Sequence, residues 1–259
     1  MTGDLPGREE EPDERDAQPA APAPAPARPR TLVLAHRGGE CEFPDNSLAA
    51  FRRAVGLAVD GVELDAQATA DGVLVVAHDI HLGGLPIEAM TLADLRELQG
   101  SDLAPDLAVP TFEDVLRVIP NHLVVNVELK ARQAERALLR AIDAAHRRQT
   151  VVVSSFDAAP LLILRKLAPE VRCGLVAGIR VADLLKLAKR ALADVVCVEV
   201  DLANESLVRH MHRNGVAVFV WTVNEDDDLR RCFELGVDAV ITDFPEHALE
   251  LRARAAAAR

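Results

Sequence analysis

The chain has 259 residues, of which 49% are hydrophobic, and a formal net charge of −12 at pH 7. That length suits one domain with a sizeable core, and α/β barrels of this size run as a single unit. So acidic a chain excludes broad nucleic-acid binding, which relies on a basic face to displace counterions, and an anionic substrate must be drawn in by local charge.

Residues 1–30 differ from the rest. They open acidic, with Glu9, Glu10, Glu11, Asp13 and Glu14, and pass into a near-alternation of Ala and Pro from Pro19 to Pro29. Such a stretch has almost no large apolar side chain to bury and is expected to be a disordered tail, leaving 31–259 as the folded domain. It lacks the basic start and apolar run of a secretory signal. No later segment approaches the ~18 apolar residues of a membrane-crossing helix. The expectation is a cytoplasmic protein without membrane insertion; its oligomeric state is not written in the sequence.

From residue 31 onward, short Val/Leu/Ile-rich runs alternate with amphipathic stretches. The predicted strands are 31–35, 61–65, 122–128, 150–154, 172–176, 195–198, 217–222 and 239–242, with a further extended run at 73–77. Helical patterns lie between most of them, at 47–58, 132–147, 158–167, 181–190, 206–214 and 226–235. Near-continuous apolar strands joined by helices imply a parallel sheet covered by helices. Eight such units fit a closed (β/α)8 TIM barrel, here with a short insertion after the second strand. Asn46 and Ser47 are placed to cap the first helix, and Gly215 and Gly236 sit where a helix ends in a left-handed residue.

The residues with chemistry fall at strand ends. His36 ends the first strand, Glu63 and Asp65 the second, Glu128 and Lys130 the third, and Ser154 and Ser155 the fourth; Trp221 and Thr222 end the seventh, and Asp243 follows the eighth. Carboxyl ends of barrel strands line the catalytic face. Because strand side chains alternate, Glu63 and Asp65 share one face, and Asn126, Glu128 and Lys130 share another. Three converging carboxylates repel one another without a cation, so the pattern reads as an oxygen-ligand metal site beside a phosphate. The cysteines, Cys41, Cys173, Cys197 and Cys232, are too scattered for zinc or a redox dithiol and read as small buried hydrophobes. His81 reads as an exposed loop residue, Ser155 lacks a base partner for a nucleophilic role, and Glu199 and Asp201 read as a solvated rim.

Taken together, the chain resembles the glycerophosphodiester phosphodiesterases over nearly all of residues 31–250. The resemblance rests on Ala35-His36-Arg37-Gly38, Pro44-Asp45-Asn46-Ser47, Gly61-Val62-Glu63-Leu64-Asp65, Thr69-Ala70-Asp71-Gly72 and His78-Asp79, followed by Asn126-Val127-Glu128-Leu129-Lys130, Ser154-Ser155-Phe156, Trp221-Thr222-Val223-Asn224 and Thr242-Asp243-Phe244-Pro245. It implies hydrolysis of a small-molecule glycerophosphodiester, such as glycerophosphocholine or glycerophosphoethanolamine, to glycerol 3-phosphate and an alcohol. It also implies one divalent cation on Glu63, Asp65 and Glu128, with His36 and His78 as the general acid/base pair. Carboxylates suit Mg²⁺ or Ca²⁺, with Mn²⁺ a further candidate, whereas zinc usually recruits histidine or cysteine. Arg37 and Lys130 are the candidate cations for the phosphate, and Trp221 a candidate wall of the substrate pocket.

Two departures bear on these expectations. Asp45 and Ser47 stand where the family usually has Glu and Thr, which shortens the acid by one methylene. The segment between His78 and Val109 is also short, which leaves head-group preference open. The alternatives are a catalytically idle phosphate-binding barrel, which should have lost a histidine or a metal carboxylate, and a phosphodiesterase directed at lysophospholipids, which needs an apolar surface at the mouth.

Overall fold

Alternation along the strands sorts the chain into an inside and an outside. The computed structural model describes residues 30–131, 133–178 and 183–257; the expected tail, up to residue 29, lies outside them, as do Arg132 and the start of the 181–190 helical pattern. Eight parallel strands form a closed barrel: β1 (Leu32–His36), β2 (Gly61–Ala68), β6 (Val124–Leu129), β7 (Val151–Ser155), β8 (Arg172–Ala177), β9 (Val195–Glu199), β10 (Ala217–Trp221) and β11 (Ala239–Thr242). β1 pairs with both β2 and β11, which closes the ring. Helices α1 (Leu48–Gly56), α3 (Phe112–Val118), α4 (Glu135–Ala144), α5 (Ala158–Leu167), α6 (Leu184–Arg190), α7 (Glu205–Arg213), α8 (Asp226–Leu235) and α9 (Pro245–Ala257) follow the strands.

The barrel interior holds Leu34, Val152, Val176, Val195, Phe219 and Ile241, among others, in one buried cluster. Alternate residues, such as Val33, Val62, Leu64, Val125 and Val127, face outward into a larger core beneath the helices. Strands buried on both faces read as unbroken apolar runs, which is why the parallel sheet is visible in the sequence. Gly61 is required by the closure: a Cβ there would lie 2.4 Å from the Val124 carbonyl oxygen on β6.

β2 is longer than predicted and outruns the barrel. Its last residues, Ala66–Ala68, pair antiparallel with β3 (Leu74–Val76). The insertion continues through the hairpin of β4 (His81–Leu82) and β5 (Leu85–Pro86) to α2 (Leu92–Gln99). Val75, Ile87, Met90 and Leu95 give it a small buried core of its own. His81 is exposed as expected, yet it sits in a strand rather than a loop, because the two glycines after it, at φ +57° and +82°, turn the chain back.

Helices α2, α3 and α9 were not among the helical patterns. The first two carried a local signal: Thr91 and Thr111 each accept from the backbone N–H three residues on, while Asp94 and Asp114 return the bond to the cap, the reciprocal arrangement of a capping box. Of the predicted caps, Ser47 serves α1, and Gly215 and Gly236 are left-handed as anticipated. Asn46 instead turns its side chain into the barrel mouth.

Arg147 is a buried cation that holds the loop before β6. Its guanidinium donates to the carbonyls of Ile119 (2.5 Å), Pro120 (3.0 Å) and Leu123 (2.8 Å). Replacing it with Met takes the donor from the buried Ile119 and Leu123 carbonyls, while Pro120 keeps the Leu123 N–H, so Arg147→Met should lower stability by roughly 2 kcal/mol and the melting temperature by roughly 4–8 °C. A melting temperature within a degree of wild type would show that the loop finds its hydrogen bonds elsewhere.

Candidate active site

Register brings the acidic residues together. Glu63 lies beside His36 across β1 and β2, and Asp65 beside Glu128 across β2 and β6. One oxygen each from Glu63, Asp65 and Glu128 lies within 4.8 Å of the other two, among carboxylates that are buried or nearly so. Lys130 Nζ stands 2.9 Å from Asp65 and 3.7 Å from Glu128. Arg37 Nε is 3.1 Å from Asp65 Oδ2, in ion-pair range but not aligned for a hydrogen bond, so it is also without a hydrogen-bond partner. Asn46 Nδ2 donates to the same oxygen at 3.1 Å.

Two cations against three carboxylates leave the cluster short of positive charge. Burial first, and then the Asp65 and Glu128 charges, push the Glu63 carboxyl well above its ordinary value. Burial likewise raises Glu128, with Lys130 opposing and Asp65 adding. Glu63 Oε2 is buried with no hydrogen-bond partner, as is Asn126 Oδ1 on the next strand. An all-oxygen set with an orphaned carboxylate oxygen fits a hard divalent cation.

The two predicted histidines are held differently. His36 Nδ1 donates to Asp243 at 2.6 Å, which leaves Nε2 facing the carboxylates, 3.8 Å from Glu63. Asn224 Nδ2 donates to the other Asp243 oxygen at 2.7 Å. Burial works to raise Asp243, but the hydrogen bonds from His36 and Asn224 outweigh it and keep the carboxyl below its ordinary value. His78, by contrast, stands on the insertion with 45% of its side chain exposed, against 16% for His36. Both line one cavity of ≈ 210 Å³ with Arg37, Glu63, Glu128 and Lys130.

Trp221 closes one side of that cavity. Its Nε1 donates to the Cys197 carbonyl at 3.1 Å, and its ring meets Phe156 edge to face at 6.0 Å. Gly178 lies against both rings, where a Cβ would sit at ordinary contact distance, 3.6 Å from Trp221 and 3.7 Å from Phe156. Cys197, expected as a plain buried hydrophobe, also lines the cavity; burial keeps its thiol protonated, with Glu63 and Glu128 reinforcing this. Asp45 does not enter the cluster: its side chain is 61% exposed and 3.8 Å from Arg37. Ser154 and Ser155 point their hydroxyls at the carbonyls of Val127 and Leu129, within the rim. The Asp243–Asn224 pair had a signal, since both residues occupy resembled motifs at neighbouring strand ends, but their link to His36 exists only in three dimensions. Gln67 was also missed, although the alternation that joins Glu63 to Asp65 carries on to it.

Comparison with known proteins agrees with this geometry. Residues 36–247 match the Glycerophosphoryl diester phosphodiesterase family. A glycerophosphodiester phosphodiesterase of Caldanaerobacter subterraneus subsp. tengcongensis is 34% identical over 238 residues, covering 86% of this chain and 98% of that protein. Among solved structures, one named as a glycerophosphodiester phosphodiesterase from Thermotoga maritima superposes with a TM-score of 0.71 at 26% identity, covering 85% of this chain and 98% of that one. An Oleispira antarctica phosphodiesterase, solved with its product sn-glycerol-3-phosphate, shares the fold with a TM-score of 0.76 at 23% identity, covering 85% and 96%.

The raised carboxyl gives a measurable pH dependence. Folded, Glu63 keeps a proton that the unfolded chain releases, so in EDTA stability declines as pH rises from about 4.5 through the raised folded value. Glu63→Gln should flatten that decline and raise the melting temperature at pH 8 in EDTA. Thermal melts across pH check this, and an unchanged slope in the variant would assign the decline to another group.

Proposed function

The chain belongs to the glycerophosphoryl diester phosphodiesterase family and is a phosphodiesterase acting on glycerophosphodiesters; from that premise we propose a divalent cation on Glu63, Asp65 and Glu128 and acid/base catalysis by His36 and His78. The observation that carries the reading is the convergence of three carboxylates within 4.8 Å, beside two cations, with Glu63 and Glu128 lining the same cavity as both histidines. A divalent ion bound there supplies neutralising charge for a phosphate that otherwise repels its attacker. Lys130 and Arg37 stand next to that position and take the non-bridging oxygens as negative charge builds on the leaving side.

The surroundings of the histidines favour different tasks. His36, with Nδ1 committed to Asp243, presents a basic Nε2 to the buried end of the cavity and takes the proton of the attacking hydroxyl. His78, at the open end, gives its proton to the oxygen that leaves as the P–O bond breaks. One displacement leaves His36 charged and His78 neutral; attack of water on the resulting phosphate ester with the roles exchanged, His78 as base and His36 as acid, or proton exchange with solvent, returns both to their starting forms.

A second cavity favours a cationic head group on the departing alcohol. A groove of ≈ 510 Å³ shares Glu128, Lys130 and Phe156 with the first cavity and adds Glu135 and Asp157. Among the described residues lining it, Lys130 is the one cation, and it already faces Asp65 and Glu128. An acidic groove with the exposed ring of Phe156 at its entrance suits an ammonium or trimethylammonium group, which an aromatic face attracts. Glycerophosphoethanolamine and glycerophosphocholine carry those groups. Among the described residues no helix is long and apolar enough to cross a membrane.

Glycerol 3-phosphate release from both diesters should stop in EDTA and return with Mg²⁺, Ca²⁺ or Mn²⁺. Glu63→Gln and Glu128→Gln should remove turnover and weaken the ion, whereas His36→Ala should lose ~10²–10⁴-fold in kcat with the ion retained. Undiminished turnover in EDTA, or silence with every ion, would sink the proposal. Phe156→Ala should lower kcat/KM for glycerophosphocholine by roughly 5–30-fold and leave that for glycerophosphoglycerol unchanged; equal losses on the two would remove the head-group assignment.

A further inference from the structure

We propose that Gln67 is a positioning residue for His78: its side-chain amide, not any contact to the imidazole, fixes where that ring stands over the departing alcohol. This rests on the acid role given to His78 above. His78 lies just past the end of β3, where strand pairing has stopped. The backbone ties on either side are Ala77 N–H to the Asp65 carbonyl at 3.0 Å and Ile87 N–H to the Ile80 carbonyl at 2.9 Å. Between them, the carbonyls of Ala77, His78 and Asp79 all accept from a single atom, Gln67 Nε2, at 2.7, 3.2 and 2.8 Å. Two amide hydrogens serve three oxygens, so one bond is shared.

The ring itself is weakly anchored. Its one hydrogen bond is to Asp79 at 2.9 Å, and the Asp79 side chain is 86% exposed and so no fixed point. Lys130 Nζ touches the His78 carbonyl only at 3.5 Å. The position of the ring therefore follows the backbone of residues 77–79, and that backbone follows Gln67. Gln67 in turn is 6% exposed, on the same strand face as Glu63 and Asp65. One strand thus carries two metal-site carboxylates and, one step further along that face, the clamp that holds the acid at a matching distance.

The requirement is for a donor. Glu at this position keeps the size of Gln but offers only acceptors to three carbonyls, and Met keeps the length but offers nothing. A displacement of about 1 Å at a reacting group can cost ~10²-fold in rate. Gln67→Glu and Gln67→Met should therefore lower kcat on glycerophosphocholine by ~10–100-fold, with KM and the calorimetric affinity for Mn²⁺ each within about twofold of wild type. Glycerol 3-(4-nitrophenyl phosphate), whose leaving group departs without a proton, should lose much less. Parallel losses on both diesters, or weakened Mn²⁺ binding, would mean that Gln67 acts through the carboxylates or the fold and would overturn the inference. Wild-type kinetics in both Gln67 variants alongside an inactive His78→Ala would overturn it as well. Full turnover in His78→Ala would instead overturn the acid assignment on which it depends.

Discussion

Repulsion among three carboxylates at the mouth of the barrel is the constraint around which this molecule is arranged. Glu63 and Asp65 are 5% and 1% exposed, so water cannot screen them, and like charges so placed must be protonated, paired or bound to a cation. The chain supplies two fixed cations, Arg37 and Lys130, and one amide, Asn46, all directed at Asp65. Glu63 receives none of these contacts. The asymmetry leaves one ligand satisfied by the protein and another waiting for an ion, which is the division expected where a site must be preformed yet still bind.

The barrel makes such a concentration of charge tolerable by restricting it to one end. Along the strands the inward positions are apolar low in the barrel, as in Leu34, Val152, Phe219 and Ile241, and turn polar at the carboxyl end, as in His36, Glu63, Glu128 and Ser154. His36 and Ser154 sit directly above Leu34 and Val152 on their strands, and Glu128 stands two steps above Val124. The interior core thus sets the height and angle of the site without sharing its chemistry, and the outward face of every strand packs on helices. Charge at the top is offset by burial below and behind.

Much of this was legible in the sequence, because two short-range rules fixed it. Apolar runs marked the eight barrel strands, and alternation on β2 and β6 put Glu63 with Asp65 on one face and Glu128 with Asn126 on another, which the structure shows turned to the barrel mouth. What escaped depended on contacts distant in sequence. Asp243 meets His36 across 207 residues, and no local pattern links them. Helices α2 and α3 were missed although Thr91-x-x-Asp94 and Thr111-x-x-Asp114 announce their caps; short helices show few apolar repeats, so the cap was the better signal. β2 was drawn too short because its extension, Ala66–Ala68, alternates Ala and Gln and resembles a turn entry.

The insertion has its own small core, built on Val75, Ile87, Met90 and Leu95, while Leu74 and Val76, on the other face of β3, pack into the main core. The stretch beyond β3, with only that small core beneath it, is the part expected to open first. With so few buried side chains its opening free energy lies below that of the barrel. The carboxylates and His36 belong to the more durable unit and His78 to the less durable one. Warming should then silence the enzyme while the barrel, and the acidic cluster within it, are still intact: the working temperature of this protein is bounded by its smallest core.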